Sequence, residues 1–256
     1  MKYTQFLVFE IGRQCNLADH HQRCPSGTPD RYGELDTSRA LTDDVIVAAA
    51  RLAYNQMGFR GNIAWHYYNE PMLQWGRIRG LIGKIREVAK RAKFTLWTNG
   101  TLLIEETEGL DLLHQIWVTN YQRKELSWLQ SIAPRVVIMD GYLDDRRLPL
   151  AEPITNRCLR PYSELIIDHY GNGHLCCMDW RGECRLGNVH TDGFAYVVER
   201  FQEAREQVAR QPMAEDAPSV CSHCRGHANH IAPLVGSVQK LTIKDQPWIR
   251  QTQVSG

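Results

Sequence analysis

Cysteine is the residue type in this chain that most clearly indicates chemistry, and its eight copies fall into two groups. Cys15 and Cys24 lie near the N-terminus, and residues 25–157 contain no cysteine. The second group comprises Cys158, Cys176, Cys177, Cys184, Cys221 and Cys224. It includes an adjacent pair and a Cys-x-x-Cys pair, spacings that are typical of thiolates around a metal ion or an iron–sulfur cluster. The pattern therefore predicts two inorganic centres.

Composition narrows the class of protein. A chain of 256 residues can bury a large core, and its formal net charge of +1 gives no reason to expect nucleic acid as a partner. No apolar run reaches the length of roughly 18 residues that a membrane span needs. The first residues lack the features of a signal peptide and predict a strand. We therefore expect a cytoplasmic protein with reduced thiols, in which metal binding is favoured over disulfides.

Strand-like and helix-like patterns alternate along the first 150 residues, and such alternation favours a parallel sheet flanked by helices. The predicted strands cover residues 6–11, 62–67, 94–97, 115–119 and 135–139. The predicted helices cover residues 43–54, 77–93, 110–114 and 124–132, and Thr42 is the expected N-cap of the first. Five strands are too few for a closed eight-stranded barrel. The expected fold class is α/β, with an open, partial TIM-like barrel.

A change of pattern follows this region. Residues 144–153 are charged and contain prolines, as expected for a linker. Residues 164–176 predict a β-hairpin turning at Gly-Asn-Gly, and residues 194–210 predict one long helix. We expect the barrel over residues 1–150, a small cysteine-rich module over residues 151–235, and a polar tail over residues 236–256.

In order, these motifs resemble those of radical S-adenosylmethionine (SAM) enzymes with a C-terminal SPASM or twitch module. The sequences Cys-Asn-Leu-Ala from Cys15 and Cys-Pro at Cys24 are similar to the flanks of that family's cluster loop, which usually has three cysteines. Here the loop is Cys-x8-Cys without a middle cysteine. His21 is the expected third ligand, and His20 and Asp19 are alternatives. The loop could also be a degenerate site that holds no cluster.

The resemblance also implies residues that contact SAM. Asn69, Glu70 and Pro71 correspond to the family's Gly-Gly-Glu-Pro motif, although tripeptides of this kind are common turns. Thr98 and Asn99 precede a glycine after the third predicted strand, and Thr119 follows the fourth. Because all three segments follow predicted parallel strands, they are expected at the same edge of the sheet.

The second group of cysteines resembles the SPASM or twitch module. The resemblance implies an auxiliary 4Fe–4S cluster bound by Cys158, Cys176, Cys221 and Cys224, although four thiolates also suit zinc. Cys177 and Cys184 are left over. In some relatives a non-ligand cysteine donates a hydrogen atom to a product radical, whereas most spare cysteines are simply buried.

The expected function follows from the resemblance. With two 4Fe–4S clusters, the enzyme would cleave SAM reductively to a 5′-deoxyadenosyl radical. That radical would abstract hydrogen from a small-molecule, sugar, nucleoside or peptide substrate, in an oxidation or an epimerisation. The electron donor would be a protein such as flavodoxin or ferredoxin. The alternatives are a non-catalytic or electron-transfer iron–sulfur protein on this scaffold, and a zinc-stabilised interaction protein.

Overall fold

The computed structural model describes residues 1, 4–18, 24–27, 31–103, 108–132, 135–140, 160–210 and 219–222. Within them, seven strands form one open sheet in the order β5-β4-β3-β2-β1-β6-β7. Neighbouring strands are parallel except β6 and β7, which are antiparallel. The strands are β1 Phe6–Phe9, β2 Asn62–Ala64, β3 Lys93–Thr98, β4 Gln115–Asn120, β5 Val136–Asp140, β6 Glu164–Ile167 and β7 Gly173–His174. The predicted α/β class with an open, partial barrel is confirmed.

The helices lie between and after these strands. They are α1 Asp43–Asn55, α2 Trp75–Val88, α3 Leu129–Ile132, α4 Arg160–Ser163, α5 Phe194–Arg210 and α6 Ser219–Ser222. As predicted, Thr42 caps α1, because its hydroxyl oxygen accepts a hydrogen bond from the Val45 amide at 3.4 Å. The predicted helix over residues 110–114 is a 3-10 turn, Leu110–Leu112. The one predicted over 124–132 is helical only over α3.

Two faces of the sheet differ in what they contact. Leu7, Phe9 and Ile63 point to one face, where they join the main core with residues of α1 and α2. The alternate residues Phe6 and Val8 point to the opposite face. There they form a smaller cluster with Ala64 and Ile166, against which Tyr67, Trp97 and Cys177 pack. We call this second surface the inner face.

The position of β6 was not predicted from the sequence. The hairpin at residues 164–176 was assigned to the C-terminal module, but β6 pairs in parallel with β1 along its whole length, from Phe6 with Glu164 to Phe9 with Ile167. The sheet therefore includes strands from both sides of the predicted boundary. That boundary itself falls in residues 141–159, outside the described part of the chain, and stays a prediction.

Gly61 is needed where β2 begins beside β1. A Cβ atom at this position would lie 2.1 Å from the Gln5 carbonyl oxygen and 2.7 Å from Phe59 Cε2. We expect Gly61→Ala to lower the free energy of unfolding by about 1–3 kcal/mol, since the backbone must move to relieve the overlap. Gly76→Ala is the control, because a Cβ atom there meets nothing within 4 Å. Because Gly76 lies on α2, Gly76→Ala should raise the free energy of unfolding by about 0.5–1 kcal/mol. Equal unfolding curves for the two variants would contradict the prediction.

Tyr54, at the end of α1, makes the stability of the folded chain fall at alkaline pH. Its hydroxyl donates to the Gly61 carbonyl oxygen at 2.6 Å and accepts from the Lys93 amide at 3.3 Å. Burial raises the pKa of Tyr54 to about 12. The stabilisation is complete below the ordinary tyrosine value of about 10 and is lost as pH rises from there through the folded value. Accordingly, unfolding free energies should fall less between pH 10 and 12 for Tyr54→Phe than for the unaltered chain.

Candidate active site

Three loops converge at the carboxyl edge of the sheet, after β1, β2 and β3. The Glu70 amide donates to the Gln14 carbonyl oxygen at 2.8 Å, which joins the second loop to the first. The Asn99 side-chain nitrogen Nδ2 donates to Asn16 Oδ1 at 2.7 Å, which joins the third loop to the first. The cysteine loop is thus attached to two of the segments expected to contact SAM, those of Glu70 and Asn99.

Through its carboxylate, Glu70 joins the second of these loops to the third. Its side chain is buried, and Oε1 accepts from the Met72 amide at 3.0 Å and from the Thr98 hydroxyl at 2.7 Å. Oε2 accepts from the Asn99 amide at 2.8 Å. Burial raises the pKa of this carboxyl, and the three donors oppose that rise. A carboxylate has about four acceptor positions, so most of its capacity already serves to position loops.

The other residues of these two motifs also shape the backbone. Asn69 Oδ1 accepts from the Tyr67 amide at 2.9 Å and its Nδ2 donates to the Trp65 carbonyl oxygen at 3.3 Å. These bonds turn the chain after Ala64, so β2 ends earlier than the predicted residue 67. Gly100 has a φ of +78°, and a Cβ atom there would lie 2.6 Å from Val118 Cγ1. Both facts favour glycine after Thr98 and Asn99.

Cys15 and Cys24 are close enough for their charges to interact, and their role as two ligands of one centre stays a prediction. Burial raises the pKa of the half-buried Cys15 thiol, and the charges of Glu70 and Cys24 act in the same direction. The Leu17 amide and the Asn99 side chain have the opposite effect, because they stabilise the thiolate. Ser26 donates a hydrogen bond to Cys24 Sγ at 3.3 Å. The pair of thiols fits the predicted thiolate-bound cluster next to the segments predicted to bind SAM.

The third ligand stays a prediction. Asp19, His20 and His21 lie outside the described residues, as do Cys158 and Cys224. Within the described ranges, no three His, Cys, Asp or Glu side chains are grouped so that they could hold a metal ion.

Sequence reasoning missed a buried ion pair beside this site. The Glu10 carboxylate, directly after β1, accepts from the Arg31 guanidinium, from the Tyr68 amide at 3.1 Å and from the His169 amide at 3.2 Å. Burial alone would lower the pKa of Arg31, but the Glu10 charge outweighs it and keeps the guanidinium protonated. Arg31 also lies over the rings of Tyr32 and Tyr68. An acidic residue at the end of a buried strand was the available signal, but nothing in the sequence pointed to Arg31.

A second buried network holds the hairpin that carries Cys176. His174 Nε2 lies 3.0 Å from Asp168 Oδ2, and both side chains have no solvent exposure. His174 Nδ1 lies 2.6 Å from the Asp179 carbonyl oxygen, and Asp179 Oδ2 accepts from the Leu175 amide at 3.1 Å. Cys176 is buried immediately after this network. Cys176, a predicted cluster ligand, therefore directly follows a segment that is held by buried hydrogen bonds.

The two spare cysteines lie in different surroundings. The Cys177 amide donates to Glu164 Oε1 at 3.2 Å, its carbonyl oxygen accepts from the Tyr68 hydroxyl, and its side chain packs on the inner face. Cys184 packs against the main core instead. Burial, followed by the charges of Asp179 and Cys221, raises the pKa of the Cys184 thiol far above its ordinary value. A hydrogen-donor role stays a prediction for both, and only Cys177 lies on the inner face.

Thr119 is half-buried near the end of β4, where it pairs with Met139 of β5. The predicted contact of Thr119 with SAM or substrate stays a prediction. None of the helices in the described ranges has the length and apolar character required to span a membrane.

Two known sequences or families resemble this chain. Residues 158–225 match the family "SPASM: Iron-sulfur cluster-binding domain". An S-adenosyl-L-methionine-dependent 2-deoxy-scyllo-inosamine dehydrogenase of Niallia circulans is 23% identical over 214 residues, which are 73% of this chain and 79% of that protein.

Solved structures show the same fold. The chain aligns with a crystal structure of BtrN in complex with AdoMet and 2-DOIA at a TM-score of 0.64 and 20% identity, over 88% of this chain and 94% of that one. A structure of BtrN in an open conformation gives a TM-score of 0.58 at 19% identity, over 87% and 92%. These findings support the resemblance drawn from the sequence: the chain has the fold of BtrN, and its residues 158–225 match the SPASM iron–sulfur domain family.

Proposed function

We propose that the chain is a radical SAM dehydrogenase that oxidises a hydroxyl group of a cyclic polyol or aminocyclitol. The observation that carries this proposal is the junction of the Cys15 and Cys24 loop with Glu70 and Asn99 at one edge of the sheet. The name of the Niallia circulans relative, a SAM-dependent dehydrogenase of 2-deoxy-scyllo-inosamine, supports the substrate class.

The donor set at the first centre fits a 4Fe–4S cluster. Cys15 and Cys24 supply two soft thiolates, and a residue of the loop between them, His21 in our assignment, supplies the third ligand. SAM would lie against the backbone of Asn69, Glu70 and Pro71, with Thr98, Asn99 and Thr119 nearby. When bound, the cluster and SAM supply a 5′-deoxyadenosyl radical, formed by one-electron reduction, that takes a hydrogen atom from a substrate C–H bond.

The chain's own residues contribute position and shielding. The Glu70 carboxylate joins the second loop to the third, and the Glu70 backbone amide joins the second loop to the first. The predicted cluster ligands and the predicted SAM-binding backbone therefore keep one relative geometry. The inner face is largely apolar and aromatic, with Phe6, Val8 and Trp97. Such a surface excludes water and holds a reacting carbon in place, which are the two contributions a protein makes to radical chemistry.

Oxidation is favoured over epimerisation. At the second centre, Cys158, Cys176, Cys221 and Cys224 would occupy all ligand positions of an auxiliary 4Fe–4S cluster. Four thiolates leave no position for substrate, which suits a centre that accepts the electron released by an oxidation. The external electron would come from a reduced flavodoxin or ferredoxin. The match to an iron–sulfur domain family favours iron over zinc at this centre.

The test uses anaerobically reconstituted protein with SAM and reduced flavodoxin. We expect slow formation of 5′-deoxyadenosine, faster formation when 2-deoxy-scyllo-inosamine is added, and a carbonyl product in equal amount. An epimerised alcohol in place of the carbonyl would contradict the dehydrogenase assignment. Absence of 5′-deoxyadenosine under all conditions would exclude radical SAM activity.

A further inference from the structure

A histidine and a glutamate lie close together on the inner face and have no role in the site described so far. Glu164 is the first residue of β6, opposite Phe6 of β1, and is only 7% exposed. His66 follows β2 and its side chain is 20% exposed. A carboxylate on a surface otherwise built from Phe6, Val8, Ala64 and Ile166 is costly unless polar groups compensate it.

The carboxylate of Glu164 is held in a fixed orientation. Oε1 accepts from the Cys177 amide at 3.2 Å, and Oε2 lies 4.0 Å from His66 Nε2. That separation exceeds a hydrogen bond, for which the distance is about 2.7–3.2 Å. A hydroxyl group next to both atoms could hydrogen-bond to each, because a carboxylate oxygen and an imidazole nitrogen both bind hydroxyl groups.

An aromatic platform borders the pair. The His66 ring lies 4.7 Å from the Trp97 ring, measured between centroids. Trp97 in turn stacks on Trp117 at 4.8 Å with an interplanar angle of 12°, and meets Phe6 edge-on at 5.4 Å. These contacts fix the orientation of Trp97. Ligand sites commonly combine apolar and aromatic walls with a few placed polar groups that orient the ligand.

His66 and Glu164 are also linked to the predicted SAM-binding segment and to the segment that carries Cys176. Tyr68, between His66 and the SAM-binding motif, donates its hydroxyl to the Cys177 carbonyl oxygen. Cys177 follows Cys176, a predicted ligand of the auxiliary cluster. His66 is thus three residues before the predicted SAM-binding segment, and Glu164 accepts a hydrogen bond from the residue that follows a predicted ligand of the auxiliary cluster.

We propose that His66 and Glu164 form a polar subsite that binds a ring hydroxyl group of a cyclic polyol, with the ring next to Trp97. This inference rests on the proposed function and adds the residues that select the substrate. The subsite positions the molecule, and the radical chemistry remains with the first centre.

The experiment measures binding separately from chemistry. Reconstituted protein with SAM and without reductant is titrated with 2-deoxy-scyllo-inosamine by isothermal calorimetry. We expect His66→Gln and Glu164→Gln each to raise the Kd at least about tenfold, the usual effect of losing a hydrogen bond to a charged or strongly polar group. At position 164 the glutamine amide oxygen can still accept from the Cys177 amide, so the loop keeps its support.

His114→Gln and Glu203→Gln are the matched controls. His114 lies just before β4 next to Arg135, and Glu203 pairs with Arg200 on the surface of α5. Both controls should bind the aminocyclitol like the unaltered protein. Formation of 5′-deoxyadenosine from SAM without substrate should be unchanged in both controls, and similar unfolding midpoints for all four variants would show that they are folded.

Two results would overturn the subsite. One is no binding of 2-deoxy-scyllo-inosamine by the unaltered protein, and the other is equal affinity in the His66 and Glu164 variants. Failure of the proposed function gives a different result. In that case neither the unaltered protein nor any variant forms 5′-deoxyadenosine, and the calorimetric comparison still tests the subsite.

Discussion

Cys24→Ala abolishes formation of 5′-deoxyadenosine from SAM and leaves the auxiliary centre in place; this is the expected result with the largest effect on activity. Cys24 interacts electrostatically with Cys15, and the two are the predicted thiolate ligands of the first centre. A labile cluster that loses a thiolate ligand is not retained. Of the roughly eight irons expected for two 4Fe–4S clusters, about four should remain.

The measurement combines iron and sulfide analysis with low-temperature paramagnetic resonance of reduced, oxygen-free protein. The signal that changes on addition of SAM should disappear in Cys24→Ala, and the second signal should persist. Ser26→Ala is the control, since it removes only the hydrogen bond to Cys24 Sγ and should keep both signals. If Cys24→Ala cleaves SAM at the normal rate, Cys24 is not a ligand and the first site is wrongly assigned.

Glu70→Ala should have the largest effect on stability. The change leaves three buried donors without an acceptor, the Met72 amide, the Thr98 hydroxyl and the Asn99 amide. Each such donor costs about 1–3 kcal/mol, so a loss of about 3 kcal/mol or more is expected. For a chain of this size that lowers the unfolding midpoint by roughly 6–12 °C. SAM affinity should fall as well, because the second and third loops lose the carboxylate that joins them.

Anaerobic thermal unfolding and calorimetric titration with SAM check this expectation. Glu87→Ala is the matched control, because Glu87 is an exposed residue of α2. Surface substitutions of that kind usually change stability by less than about 0.5 kcal/mol. If Glu70→Ala unfolds at the same temperature as Glu87→Ala, the three hydrogen bonds do not support the site.

Local signals in the sequence predicted local features well. Thr42 was expected to cap α1, and its hydroxyl does so. The Gly-Asn-Gly turn was expected to join two strands, and β6 and β7 flank it. The positions of Glu70 and Asn99 after predicted parallel strands also predicted that they would share one edge of the sheet, because the ends of parallel strands lie together.

Features that depend on long-range contacts were not predictable in this way. Glu10 and Arg31 are separated by 21 residues, and no periodicity indicates that their side chains meet in a buried ion pair. His66 and Glu164 come from strands that are distant in sequence, and their proximity depends on β6 lying next to β1. That pairing was missed because a hairpin near clustered cysteines appeared to belong wholly to the second module.

The parallel contact between β1 and β6 has a consequence for how such proteins can be divided or recombined. A fragment ending at residue 150 would leave one edge of β1 without its partner, and exposed edges of apolar strands promote aggregation. It would also lose the His169 amide that supports Glu10. Exchange of cysteine-rich modules between homologous scaffolds would therefore have to place its crossover after the hairpin, not in the proline-bearing stretch before it.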